Sequence, residues 1–158
     1  MTIDFELLNT ADGRIPYLEH FSNKLLAADK WQSIMLTREW ANGISRKAGV
    51  YAIKHDADIV YVGESGSLGG RMKDLLDSRN HTIRRSIGKK YFSEHAEYHK
   101  ATSSICYAPS IELLIDNFIN DKMTIAFIEM PLGRKELEDY LMGAIDIKLR
   151  LNIRTGRK

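Results

Sequence analysis

The sequence predicts an α+β fold, a small and mainly antiparallel sheet of three strands flanked by helices, with an N-terminal extension before it. Three observations carry this. Two runs of β-branched and aromatic residues, Gly49–Lys54 and Ile59–Gly63, stand either side of the short polar stretch 55–58 and read as a hairpin. A third run, Met123–Glu129, alternates as a strand does. Apolar residues at helical spacing fill the chain between and after these runs. The order hairpin, helices, strand, helix is an α+β order rather than a βαβ repeat.

The remaining elements follow from local pattern. Tyr17, Leu18, Phe21, Leu25 and Leu26 share one helical face, with Pro16 placed for a first turn. The stretch Trp31 to Trp40 is ambiguous. A Ser/Gly-rich turn, Glu64–Ser67, leads into a helix over about 68–77, and Thr82–Tyr91 reads as a second, basic helix. Ile111, Leu114, Ile115 and Phe118 mark a third. After Pro131-Leu132-Gly133 a last helix is expected from about Lys135 to Leu151, with Leu137, Leu141, Ala144, Ile145 and Leu149 as its apolar stripe. We expect residues 1–47 to form the extension and 48–158 the main domain, with a helical insertion at about 82–120.

Composition narrows the class. The chain has 158 residues, 44% apolar and 28% charged, which suits one folded domain with its own core. No apolar run approaches the roughly 20 residues of a membrane span. Met1–Glu6 lacks the basic and apolar regions of a secretory leader, so a cytoplasmic protein is expected. Cys106 is the single cysteine and is expected to be a small buried hydrophobe. The formal net charge of +2 is unevenly spread: residues 71–100 carry +4 and 148–158 carry +5, within otherwise acidic segments. Two basic segments of that kind suit a protein with one side turned to a polyanion.

Tyr51 and Tyr61 stand ten residues apart on the two hairpin strands, and alternation allows both to share a face. By themselves they read as cross-strand packing. Their setting adds more: GVYAIK, then IVYVGESGSLGGRMKDL. Gly49-Val50-Tyr51 and Tyr61-Val62-Gly63, followed by Ser65, Leu68 and Arg71, resemble the two half-motifs and following helix of the GIY-YIG nuclease superfamily. Leu137-Glu138 and, 14 residues on, Asn152 match the late Glu and Asn of that family. The resemblance covers roughly Ala48 to Asn152. One position departs from it: the His that some members carry a helical turn after the Arg is Leu75 here.

The resemblance implies the GIY-YIG fold and a metal-dependent endonuclease acting on double-stranded DNA. Glu138 would hold one Mg²⁺, for which Mn²⁺ can substitute, since a hard cation takes one or two carboxylates and keeps its waters. Arg71 would meet the phosphate with its planar donors. Tyr51 would lie at the attacking water as base or orienter, Tyr61 would give a second contact, and His81 would orient Tyr51 or touch phosphate. Asn152 would tie the last helix end to the sheet. Gly49, Gly63 and Ser65 would shape the site, and the glycines would let DNA or metal come close to the hairpin end. Arg84, Arg85, Lys89 and Lys90 are the candidate DNA-backbone contacts. The string Asn80–Gly88 resembles a segment of restriction-type members, which favours restriction or phage defence; repair or mobile-element cleavage and a catalytically silent binding module are the alternatives. One site per domain implies a homodimer for double-strand cleavage, and sequence readout would fall to the extension and the insertion.

Other signals carry less. Ser67 breaks a nucleophile elbow, and no Gly-Lys-Ser/Thr makes a phosphate loop. His95 and His99 with Cys106 fall short of zinc spacing and read as surface residues.

Overall fold

The structure, a computed structural model, describes residues 11–152. The opening stretch Met1–Glu6 and the basic tail beyond Asn152 lie outside the described residues. The order is α1 (Ala11–Leu25), a short 3₁₀ turn (Ala28–Lys30), β1 (Gln32–Ser33), α2 (Arg38–Asn42), β2 (Gly49–His55), β3 (Asp58–Ser65), α3 (Leu68–Asp74), α4 (Thr82–Tyr91), α5 (Pro109–Lys122), β4 (Met123–Glu129) and α6 (Arg134–Ala144). The fold is α+β, with an antiparallel sheet in the order β1-β4-β2-β3. It has four strands rather than the expected three. The fourth is the two-residue β1, too short to show any alternation, paired with Ile125 and Thr124.

The hairpin turns tightly at Asp56, whose φ of 53° is left-handed, a region Asp tolerates better than most residues. Its register slips between Ile53 and Lys54, which makes Val60 the extra residue of a bulge. The slip breaks the alternation of β3, so Val60 and Tyr61 both join the same side as Tyr51 and Ile53. Val50, Ala52 and Val62 face the other way. β2 is the central strand, and Val50, Tyr51, Ala52 and Ile53 in succession are buried.

Two helical layers therefore cover the sheet. On the tyrosine side pack Leu68, Met72 and Leu75 from α3 and its end, Ile83 and Ile87 of α4, and Ile111, Ile115 and Ile119 of α5. On the other side pack Tyr17, Leu18, Phe21 and Leu25 of α1 with Leu137, Leu141 and Met142 of α6. Pro16 lies inside α1 instead of opening it, because the helix starts by Ala11. Among the described residues no helix is long and apolar enough to cross a membrane.

α6 ends at Ala144, short of the expected Leu151. Gly143 weakens its last turn, Ile145 is extended, and Arg150 Nη2 folds back to donate to the carbonyls of Met142 and Ile145. The chain after that turn runs along the outer edge of β3. Leu151 N–H donates to Val60 O, and the Asn152 amide both accepts from Val62 N–H (3.2 Å) and donates to Val62 O (2.8 Å). An edge strand with open N–H and C=O groups is thus closed by a side chain. Asn152→Ala should cost about 1–2 kcal/mol for two hydrogen bonds whose partners can be rehydrated at the edge. Chemical denaturation measures this, and a midpoint equal to that of the natural protein would mean that the clamp adds nothing.

Candidate active site

Tyr51 is wholly buried, and its ring reaches sideways across β3. It can do so because its cross-strand partner is Gly63. A Cβ at Gly63 would fall 2.4 Å from Tyr51 Cζ and Oη. This is a different use of the glycine from the expected close approach of DNA or metal. Gly49 is likewise pressed on by protein, since a Cβ there would meet Ile128 O at 2.2 Å. Tyr61, diagonal to Tyr51 in the register, stacks beside it with ring centroids 5.9 Å apart.

Both phenols end at the start of α4. His81, the N-cap, holds its Nε2 2.9 Å from Tyr51 Oη, while its Nδ1 accepts from Ile83 N–H at 3.3 Å. The next residue, Thr82, has its hydroxyl 3.1 Å from Tyr61 Oη. From α3, Arg71 Nε donates to Tyr51 Oη in a long 3.4 Å contact, and its Nη1 donates to Asp74 Oδ2 and to Asn80 O. Ser67 caps α3 and Ser65 bonds both to the N–H and the C=O of Ser67, so these two serines fix the turn that delivers Arg71. The structure thus brings Tyr51, Tyr61, Arg71 and His81 together. Thr82 and Asp74 join them without having been singled out; the one hint in the sequence was adjacency to His81 and a helical i,i+3 spacing from Arg71.

The electrostatics are those of a buried cluster. Burial, then the neighbouring Tyr61, pushes the Tyr51 phenol well above its ordinary range, against a downward pull from Arg71. Burial and then Arg71, Arg84 and Arg85 push the His81 imidazole well below its own. Burial works against the charge on Arg71, but the Tyr51 and Tyr61 oxygens outweigh it, so this guanidinium stays charged. Its side chain is 24% exposed, so with its partner Asp74 it meets solvent while the phenols and the imidazole are buried.

Glu138 arrives by another route. Its helix, α6, packs on the layer opposite the tyrosines. Its Oε2 accepts from Lys135 Nζ at 2.7 Å, and its side chain is 16% exposed. Burial raises its carboxyl, opposed by Lys135 and reinforced by Glu64 and Asp139. Glu64 follows Gly63 on β3 and is itself paired with Arg134. The Tyr51 hydroxyl thus lies over Gly63 on one face of the outer strand, while α6, which carries Glu138, packs on the other.

The basic residues separate into two kinds. Arg84 is 1% exposed, and its fork is spent on Glu112 and on Asp116 (2.6 Å) of α5, with further bonds to Leu75 O and Ser78 Oγ. That pairing corrects its assignment as a DNA-backbone contact: it is the ionic joint between α4 and α5. Arg85 is half-buried and donates to Ser78 O and Arg79 O, which holds the turn before His81. Lys89 and Lys90 are exposed, and Lys90 Nζ reaches Lys148 O at 3.4 Å. Cys106 is exposed rather than buried. His95 and His99 are exposed, and His99 bonds the backbone O of Cys106. Among the described residues no group of three or more His, Cys, Asp or Glu could hold a metal.

The family model described as the GIY-YIG catalytic domain matches residues 34–157 of this chain. Among curated proteins and among solved structures nothing matches it.

A buried histidine that stays neutral leaves a signature in stability. Below about pH 6.5 the unfolded chain takes up a proton on His81 that the folded protein refuses. The stabilisation is therefore present above that pH and is lost as pH falls toward the depressed folded value, by up to about 1.4 kcal/mol per unit. His81→Gln should flatten the decline of unfolding free energy between pH 6.5 and 5 by about that slope. Parallel declines would mean that folded His81 takes up the proton.

Proposed function

Since the chain belongs to the GIY-YIG family and carries its nuclease-type domain, we propose that it is an endonuclease that hydrolyses phosphodiesters in double-stranded DNA with a divalent cation. The observation that carries this reading is the joining of Tyr51, Tyr61, Arg71 and His81 in one cluster at the outer strand, from four separate stretches of chain.

Members of the family use divalent metal ions, and Mg²⁺ is the ion proposed here, with Mn²⁺ as a substitute. The donor set fits a hard cation: Glu138 is a half-buried carboxylate, and burial, with the negative charges of Glu64 and Asp139, opposes its charge, a penalty that a cation relieves. Lys135 supplies that positive charge in its absence. Glu138 would hold the ion. A bound cation supplies neutralisation of the charge on the phosphoryl and leaving oxygens.

The chain's own groups do the rest. Arg71, charged and partly exposed, binds the phosphate and stabilises the charge that builds on it in the transition state. Tyr51 faces the attacking water. Tyr61, held by Thr82, keeps that phenol in place and gives the second contact. His81 acts through Tyr51. Lys89 and Lys90 take the DNA backbone, so that positions along the duplex are set by phosphate contacts. Restriction or phage defence is the proposed setting, with the extension and the 82–120 insertion as the readout segments and a homodimer for cutting both strands.

One observation favours a second reading. Tyr51 and His81 are each 0% exposed, and Glu138 sits in the far layer bound to Lys135, as suits a catalytically silent DNA-binding module. Incubation of plasmid and linear DNA with Mg²⁺ separates the two. Discrete fragments from the natural protein, absent with Glu138→Ala, are expected; binding without cutting by both proteins would establish the silent module. Arg71→Ala should lose at least about 10²-fold in rate, the size of effect seen when a transition-state charge stabiliser is removed. Each phosphate contact adds roughly 0.9 to the slope of log affinity against log salt. Lys89→Ala with Lys90→Ala should therefore flatten that slope by about 2, whereas Arg84→Ala should leave the slope alone and lower the melting temperature. An unchanged slope in the lysine pair would remove α4 from the DNA interface.

A further inference from the structure

The hydrogen bonds around Tyr51 leave little freedom in where protons can sit. A neutral imidazole has one N–H donor and one acceptor nitrogen. His81 Nδ1 faces Ile83 N–H, which can only donate, so Nδ1 is the acceptor and the hydrogen is on Nε2. The other tautomer would set two N–H groups against each other inside the core. The 2.9 Å contact is therefore Nε2–H donating to Tyr51 Oη. Arg71 Nε, always protonated, donates to the same oxygen. A neutral phenol oxygen has two lone pairs, and both are now taken. The phenol's own hydrogen is left to point away from both donors, on the side of Tyr61.

We propose that His81 is a fixed hydrogen-bond donor to Tyr51 rather than an acceptor of its proton, and that Tyr51 accepts a proton from water only as a phenolate. The second half rests on the nuclease reading; the first does not. As a phenol, Tyr51 has no lone pair left for a water hydrogen. As a phenolate it has a third acceptor position, beside those given to His81 and Arg71. The phenol first gives its proton to hydroxide from solvent; the water O–P bond then forms as a water proton passes to Tyr51 Oη, the P–O bond to the leaving oxygen breaks, and solvent protonates that oxygen.

The surroundings of His81 agree. The strands present Tyr51 and Tyr61 to its ring, α3 presents Arg71, and its own helix presents Arg84, Arg85 and Thr82. Three of these are cations, and among the described residues no carboxylate bonds to the ring. An imidazolium there has nothing to stabilise it. The N-cap of α4 requires the Nδ1 lone pair as well, and protonation would remove it. His81 is thus a positioning residue with two tasks: it opens α4, and it holds the phenol from a fixed side.

Two measurements test this. The first is a ¹⁵N–¹H correlation spectrum of the His81 ring in the natural protein, which needs no enzymatic activity. It should show the Nε2–H tautomer from pH 5 to 8; an Nδ1–H ring, or an imidazolium near pH 6, would overturn the proposal. The second compares variants in DNA cleavage. A glutamine side chain can offer an amide N–H to Tyr51 but is no base. His81→Ala should lose about 10²-fold in rate, and His81→Gln should recover to within about tenfold, both keeping a rate that rises with pH into the alkaline range where Tyr51 ionises. If His81→Gln is as slow as His81→Ala while its melting temperature matches the natural protein's, and an acidic limb near pH 6.5 vanishes with the histidine, His81 is a proton acceptor. Absence of cleavage by the natural protein would sink the nuclease reading, and with it the phenolate step, while the spectrum still decides the tautomer.

Discussion

The contact on which the site depends is the lie of the Tyr51 ring across Gly63. A side chain at that position would collide with the ring, and the phenol would have to turn along its own strand. Because nothing stands there, the hydroxyl passes over β3 and reaches α3 and α4 beyond it. One oxygen then joins the central strand, the N-cap of α4 and the guanidinium of α3. The glycine of the second triplet is explained by packing inside the protein. Tyr61 needs no further device: it stands opposite Ile53, two residues from Gly63, so plain alternation puts it on the same side, and the bulge beyond it adds only Val60 to that face. One irregularity, a missing side chain, thus converts an ordinary hairpin into a paired phenol site.

The outer strand is where the two layers of the fold meet chemically. Its edge up to Val62 is closed by Leu151 and Asn152. Gly63 and Glu64 follow, with the phenol over one face and α6 packed against the other. The clamp by Asn152 therefore holds the strand end at a fixed height between them, and its place in the chain, directly after the Arg150 cap of α6, couples the end of that helix to the same strand.

Local pattern gave the parts of this fold that depend on local physics. The bounds read for α4 and β4 from the sequence coincide with those observed, because a basic amphipathic turn-bounded helix and an alternating strand show themselves within ten residues. The tyrosine pair, Arg71 and His81 were legible as a motif. Their burial was not, since it depends on α4 and α5 closing over the sheet. Arg84 shows the limit best: beside Arg85 in sequence it reads as surface charge, and only Glu112 and Asp116, nearly thirty residues or more downstream, turn it inward. The end of α6 was misread because a helical stripe continued through Ile145 and Leu149, while the cap that stops the helix comes from Arg150 beyond it. β1 was invisible, since two residues have no period. The side of the sheet taken by α6 was equally unreadable, for a stripe of apolar residues says that a helix packs but not on which face.

Arg71 shows why that position calls for a guanidinium. Its Nε is given to Tyr51, and its Nη1 to Asp74 and the backbone of Asn80. A lysine ammonium is a point charge on a flexible stem and cannot hold the phenol, the carboxylate and the turn in one plane. The fork does so while a quarter of the side chain still meets solvent. A polyanion approaching this face meets that charge before it can reach any phenol, and it does so at the group already bonded to the Tyr51 oxygen. Any movement of the guanidinium toward a phosphate must therefore change the field at that oxygen. The exposed charge and the buried phenol are in this way linked through a single planar group.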